Sequence, residues 1–316
     1  MKGAFNKQTE RLMKRKIIWP DGHDFAFTIV DDTDEATVEN IGPVYEYLLS
    51  HGLKTTKTCW VYPSREKAVS GQCLQDGNYT AFLLDIQSRG TELAFHNAGS
   101  GAFRREETLA ALEEYRNKLG QYPSLHVNHR KNRENLYWGK DRFSGLIRFL
   151  YGFKQKQRKY EGSVEDSEYF WGDFAKEHIK YIRNRTFNGL DTLKEDPRLV
   201  YREKRKQKYS NYWFSSSDGI DRAAFVKLLS KENVDKLVRN HGCAVVYTHF
   251  AYGFVDENGE LAEDFRQVID YLSSRNGWFV PAGQLLDYVA ADRDVRPSGL
   301  YEALMDVKWF FERIRK

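Results

Sequence analysis

The stretch Phe25-Ala26-Phe27-Thr28-Ile29-Val30-Asp31-Asp32-Thr33-Asp34 decides how the rest of the chain is read. Six mostly apolar residues run directly into a cluster of three carboxylates. The apolar part is too short for an ordinary helix and has almost no polar alternation. It fits a strand buried on both faces, as in a parallel sheet. The carboxylates then stand at the strand's carboxyl end. Adjacent aspartates there oppose each other's ionisation unless a cation or a proton intervenes. The plain alternative is helix capping by Thr33 or Asp34, but a cap needs only one such residue and leaves Asp31 and Asp32 unexplained.

Outward from this strand the same alternation recurs. Val38, Ile41, Tyr45, Leu48 and Leu49 have helical spacing, and Gly52 closes the element, with Gly42-Pro43 marking where the helix begins. Residues 54–61 read as a second strand, 79–89 as a short helix, and Glu92-Leu93-Ala94-Phe95 as a third strand that ends at His96. Residues 105–119 form an amphipathic helix before Gly120. Ser124-Leu125-His126-Val127-Asn128-His129 is a fourth strand. Residues 211–217 end at Asp218, and Ala244-Val245-Val246-Tyr247-Thr248 ends at His249. Helices over 222–239 and 263–275 and a last strand over 278–281 complete the pattern.

Strand–helix alternation of this kind predicts a parallel sheet or barrel, with chemistry on loops at the carboxyl ends of the strands. Asp31 and Asp32, His96, His129, Asp218 and His249 each follow a separate strand-like run, so in a parallel sheet they face one mouth. Residues 131–210 break the pattern. They are polar, basic and aromatic-rich, and read as a long insertion forming a lid or rim, with a further strand over 181–187. The expected organisation is a basic arm over 1–20, one barrel over 21–292, and a helical tail over 293–316.

Composition narrows the class. With 316 residues, 41% hydrophobic and 15% aromatic, the chain can bury a large core. Its net charge of +4 does not call for nucleic acid. Two basic runs, 154–159 and 202–208, read as solvated loops or as phosphate-binding patches. Three cysteines, Cys59, Cys73 and Cys243, lack metal-site spacing and fit a reduced, cytoplasmic setting. No secretory signal and no membrane-span-length segment is read.

Imidazoles with a carboxylate suit zinc, cobalt or nickel. Asp32, His96 and one further residue would hold such an ion, which generates hydroxide at neutral pH. Asp31 would take a proton from water, and His249 would protonate a leaving group. That is a mechanism for amide or ester hydrolysis without a nucleophilic side chain. No G-x-S-x-G elbow and no P-loop is present.

The run Thr28-Ile29-Val30-Asp31-Asp32 resembles the first motif, T-F-D-D-G, of the polysaccharide deacetylases (carbohydrate esterase family four, the NodB-homology fold). His96 falls where their second motif, H-(S/T)-x-x-H, begins. Val246-Tyr247-Thr248-His249 is similar to their last, L-x-x-H, and Ser217-Asp218-Gly219 lies where a late aspartate motif would fall. The resemblance covers residues 22–290 except the insertion. It implies a distorted (β/α)7 barrel that removes an acyl group from an N-acylated sugar with the help of a divalent metal. In its terms Asp31 is the base, Asp32 and His96 are metal ligands, and His249 is the acid, with Asp218 as a further catalytic residue. Ser100 stands where the second metal histidine belongs, Thr33 replaces a glycine, and His129 is the replacement ligand. The run over 132–139 suits a sugar cleft or a structured loop. The substrate-binding candidates are Asn97, Asn128, Arg130, Asn135, Tyr137 and Trp138. The alternative is a metal-free barrel that binds a glycan or a partner protein.

Overall fold

Strand β1, Phe25–Asp31, is buried at every position. In this computed structural model, which describes residues 15–154, 159–293 and 295–314, β1 is the stave on which the barrel closes. One edge pairs in parallel with β7, Cys243–Thr248, from Ala26 opposite Cys243 to Asp31 opposite Thr248. The other edge is shared. Its first half pairs with β8, Gly277–Phe279, and its last two residues, Val30 and Asp31, face Thr56 and Lys57 of β2, Thr56–Cys59. Strands β3 (Glu92–Phe95), β4 (Leu125–His126), β5 (Tyr181–Phe187) and β6 (Tyr212–Asp218) complete a closed, parallel, seven-stranded barrel, with β8 outside the ring on β1.

Helices wrap this barrel in chain order: α1 (Val38–Ser50), α2 (Gly77–Ser88), α3 (Arg105–Leu119), α4 (Gly145–Lys154), α5 (Gly172–His178), α6 (Thr192–Glu195), α7 (Arg222–Leu228), α8 (Lys231–Arg239), α9 (Glu263–Ser273), α10 (Ala282–Asp292) and α11 (Gly299–Ile314). Side chains alternate between two cores, as the pleat of a strand requires. Phe25, Phe27 and Ile29 of β1 face the helices, with Tyr45, Phe95 and Val246. Ala26 and Val30 face the barrel interior, with Ala94, Val127, Phe214 and Val245.

Several local expectations change. Helix α1 is capped by Thr37, whose side chain accepts from the Asn40 amide, and not by Thr33 or Asp34. It runs through Gly42-Pro43, because the cap and the buried face of Ile41, Val44, Tyr45 and Leu48 outweigh one lost backbone hydrogen bond. Residues 222–239 are two helices, the second capped by Ser230. Strand β4 is only two residues long, so His129 lies three residues beyond it. Strand β5 falls inside the segment read as an insertion and is a full barrel stave, paired with β4 and β6. The tail folds back: α11 packs against α4 over Phe143, Ile147, Phe187, Met305 and Trp309. Basic residues of 202–208 turn partly inward, with Lys206 and Glu203 in a buried ion pair 2.5 Å long. The first 14 residues of the expected N-terminal arm, and 155–158 of the other basic run, lie outside the described residues.

Candidate metal centre

The alternation along β1 separates the carboxylates. Asp31 follows Phe27 and Ile29 on the helix-facing side. Its carboxylate is buried, pairs with Lys57 at 2.8 Å, and accepts from Tyr45 Oη at 3.0 Å and the Phe250 amide at 2.8 Å. Burial raises its pKa against the pull of Lys57. The base expected at Asp31 is thus an internal anchor in this geometry, with its oxygens occupied.

Asp32 lies on the opposite side. Arg183 of β5 grips it with two hydrogen bonds, 2.9 and 2.5 Å. Burial pushes this carboxyl up, but Arg183 and His96 outweigh that and hold it below its ordinary range. The Arg183 guanidinium also lies 4.3 Å over the Tyr247 ring. Arg183 is not among the residues expected at the site, since it sits in the segment that reads as a lid. Its signal in the sequence is an arginine inside an otherwise buried strand, where only an internal carboxylate accounts for it.

The chain turns after β1, with Glu35 in the left-handed region (φ 58°), and brings Asp34 back over the mouth. Asp34 then meets three imidazoles. Its Oδ1 is 3.2 Å from His129 Nε2 and 3.9 Å from His96 Nε2, and its Oδ2 is 3.0 Å from His249 Nε2. Burial alone would raise this carboxyl, but the three histidines hold it well below the carboxylate range. Asp34 in turn raises His129 and His249 against the opposing effect of burial.

Each imidazole is oriented by its other nitrogen. Nδ1 of His96 donates to the Val127 carbonyl (2.9 Å), that of His129 to Asn132 Oδ1 (2.8 Å), and that of His249 to the Ile220 carbonyl (2.9 Å). All three Nε2 atoms therefore point into the mouth, which is how metal-binding histidines are held. Trp60 stacks on His96 and meets His129 edge-on.

The residues fit a divalent cation. His96 Nε2 is buried without a hydrogen-bond partner, which costs about 1–3 kcal/mol unless something satisfies it, and the buried Asp34 Oδ1 has the His129 imidazole at 3.2 Å as its one near partner. Asp34, His96 and His129 each offer a ligand atom, all within 4.8 Å of one another. Two ligands of one zinc ion, each about 2.1 Å from it, stand roughly 3–4 Å apart. Asp34 thus stands where the sequence reading put Asp32, whose oxygens are taken by Arg183. Ser100 bonds to Glu66 instead of facing the mouth.

Behind the centre lies a polar lattice. Glu134 accepts from Asn97, Asn132 and the Phe103 amide, and burial pushes its pKa up to about 7. Asn97 accepts from the His129 amide, and Asn135 donates to the His129 carbonyl. Asn128 binds both backbone groups of Leu136. These three asparagines are buried and hold the loop, so the sugar contacts expected of them are not where the structure puts their amides. Arg130 is exposed, Tyr137 packs on Trp213, and Trp138 lies under Arg142. Asp218, at the end of β6, is bound by Arg313 of α11 at 2.8 Å.

Fold and mouth together define a seven-stranded parallel barrel with a buried Asp–His group at its carboxyl end. No sequence-family profile matches the chain, and no curated protein matches it. Solved structures do. A protein of Pseudomonas aeruginosa PAO1 described as a probable polysaccharide deacetylase superposes with TM-score 0.52 at 11% identity, over 86% of this chain and 93% of that one. A candidate polysaccharide deacetylase of Mycobacterium smegmatis gives 0.49 at 11% identity, over 89% and 96%. A family 4 acetyl xylan esterase of Clostridium thermocellum, in complex with a cobalt ion, gives 0.39 at 10%, over 85% and 97%. The chain has the (β/α)7 barrel fold of the polysaccharide deacetylases.

Proposed function

We propose that the protein is a metal-dependent hydrolase of the polysaccharide deacetylase superfamily that removes an acyl group, acetyl in the simplest case, from an N-acylated sugar. The observation that carries this reading is the convergence of three oriented Nε2 atoms on Asp34, with His96 Nε2 buried and unpartnered beside it. Asp34, His96 and His129 would hold the ion, zinc by ligand chemistry, with cobalt and nickel also suited. When bound, it supplies Lewis-acid polarisation of the acyl carbonyl and acidifies water.

The remaining steps belong to the chain's own groups. Arg183 keeps Asp32 ionised and uses one lone pair of each of its oxygens, so the second lone pair of Oδ2 accepts the proton of the attacking water. This Oδ2 lies 3.9 Å from His96 Nε2, at the edge of the ligand group. Water oxygen adds to the acyl carbon, and the C–N bond then breaks. His249, with Nδ1 fixed on Ile220 and Nε2 toward the mouth, gives its proton to the departing amine. Tyr252, stacked on His249 at 4.3 Å, keeps that ring in place. The three cysteines are buried thiols, compatible with a cytoplasmic enzyme.

The test is metal content by elemental analysis together with hydrolysis of N-acetylated oligosaccharides. The expected result is about one ion per chain, lost in Asp34→Ala, His96→Ala and His129→Ala together with activity. A chain that takes up no stoichiometric ion under zinc, cobalt or nickel loading, yet binds a glycan, would be a binding barrel and would overturn the proposal.

A further inference from the structure

Helix α11 is apolar on two sides: Met305 and Trp309 are buried, and a second apolar stripe faces out. Its acidic residues Glu302 and Asp306 are buried. Asp306 accepts from the Ser144 amide and hydroxyl, both at 2.7 Å, and pairs with Arg185. Its outward residues are Leu300, Leu304, Val307 and Phe311, all of them exposed. Their spacing of four, three and four residues is a strict a/d seam, the narrow stripe of a helix that packs on another helix and not the wide face of one that lies on a core.

Its neighbour α4 does the same. Ile147 is buried toward Met305 and Trp309 of α11. Leu146, Phe149 and Leu150 point away and are exposed. The seven outward residues are between 38 and 69% exposed. At about 200 Å² for a fully exposed large side chain they present roughly 700 Å² of apolar surface. Summed over the two packed helices, that is close to the share of one partner in a standard interface, about 800 Å².

The surroundings choose the occupant. A lipid surface calls for unpaired lysines and arginines around the apolar face. Among the described side chains of the two helices, Arg148 of α4 is paired with Asp141 at 2.8 Å, Lys308 of α11 with Glu195 at 2.7 Å, and Arg313 with Asp218 at 2.8 Å. A helix pair with two apolar seams is instead self-complementary about a two-fold axis, giving a four-helix contact.

We propose that α4 and α11 are the contact face of a homodimer. The contact lies beside the barrel mouth, because Arg313 of the same helix binds Asp218 and the Thr186 hydroxyl at the ends of β6 and β5. The inference does not depend on the deacylase reading.

Sedimentation velocity of the full chain over a concentration series tests it. Wild type is expected to sediment as a dimer at micromolar concentration, and Leu304→Glu/Phe311→Glu to raise the dissociation constant by about a hundredfold or more, with an unchanged circular dichroism spectrum. Should that variant misfold, Leu304→Cys gives an independent readout. The native cysteines are all buried, so mild oxidation should cross-link only this variant, as a dimer. A wild type that stays monomeric throughout, a dimer that survives the double substitution, or a monomer that floats with phosphatidylcholine–phosphatidylglycerol vesicles through this face would each overturn the proposal.

Discussion

Asp31 and Asp34 are three residues apart at the end of one strand, and they have opposite fates. Asp31 turns toward the helices and finds Lys57, Tyr45 and the Phe250 amide waiting for it. Asp34 turns over the mouth and meets only imidazoles, one of which, His96, keeps its buried Nε2 without a hydrogen-bond partner. A carboxylate whose partners are all supplied by the fold is part of the scaffold. A carboxylate ringed by oriented imidazoles, one of them left without a partner, is held ready for something the chain itself does not contain. The number of acids at a strand end therefore says less than what each one meets.

The contrast is broken most severely on the Asp34 side. His96→Ala or His129→Ala removes one of the three proposed ligands and should lower metal-dependent turnover by about 10³-fold or more, measured as acetate release. Thermal unfolding of the metal-free chain should hardly change, because these residues are not what holds the barrel. The reverse holds for Asp31→Ala. It leaves Lys57 charged and unpaired in the core and should destabilise the fold by about 3–5 kcal/mol in urea titrations. Metal content per folded molecule should stay the same. If Asp31→Ala instead abolishes binding in a stable protein, the division between anchor and ligand is wrong.

Glu134 sharpens the comparison through pH. Its folded-state pKa is raised to about 7 by burial. A carboxyl that binds its proton more tightly in the folded chain contributes stability at low pH, and that contribution is lost as pH rises from about 4.5 to 7. The loss should reach about 3 kcal/mol, and Glu134→Gln should flatten the slope in denaturant midpoints taken across that window. Smaller still is Asn132→Ala. It removes the acceptor that fixes His129 Nδ1 and should weaken zinc affinity by about 10- to 100-fold in competition titrations, with the fold retained.

Most staves of the barrel can be read from short apolar runs, because strands buried on both faces leave no ambiguity of sidedness. The histidines were legible for the same reason: each follows such a run. The geometry divides the neighbouring carboxylates differently from the expectation. Past the last paired residue the period of two no longer governs, and the turn at Glu35 swings Asp34 to where Asp32 was expected. Arg183 was hidden because β5 is polar: its interior carries Arg183, Asn184 and Arg185, each matched by an internal partner that no local pattern reveals. Asn97, Asn128 and Asn135 read like sugar ligands, since an amide that holds a loop and one that faces a ligand have the same letter. Helix α11 is apolar on two sides, so its apolar stripe gave no hint of which side faces out.

The closure of the barrel on β1 has a consequence for synthesis. The strand that carries Asp31 and leads to Asp32 and Asp34 meets β2 soon after it is made, but only through Val30 and Asp31, while its longer partners β7 and β8 lie much later in the chain, at residues 243–248 and 277–279. At about 5–20 residues per second, the strand must wait on the order of tens of seconds for β7 and β8 to leave the ribosome. Most of its pairing edge stays open for that time, and the group around Asp34 can be completed only after β7 and His249 behind it have been translated.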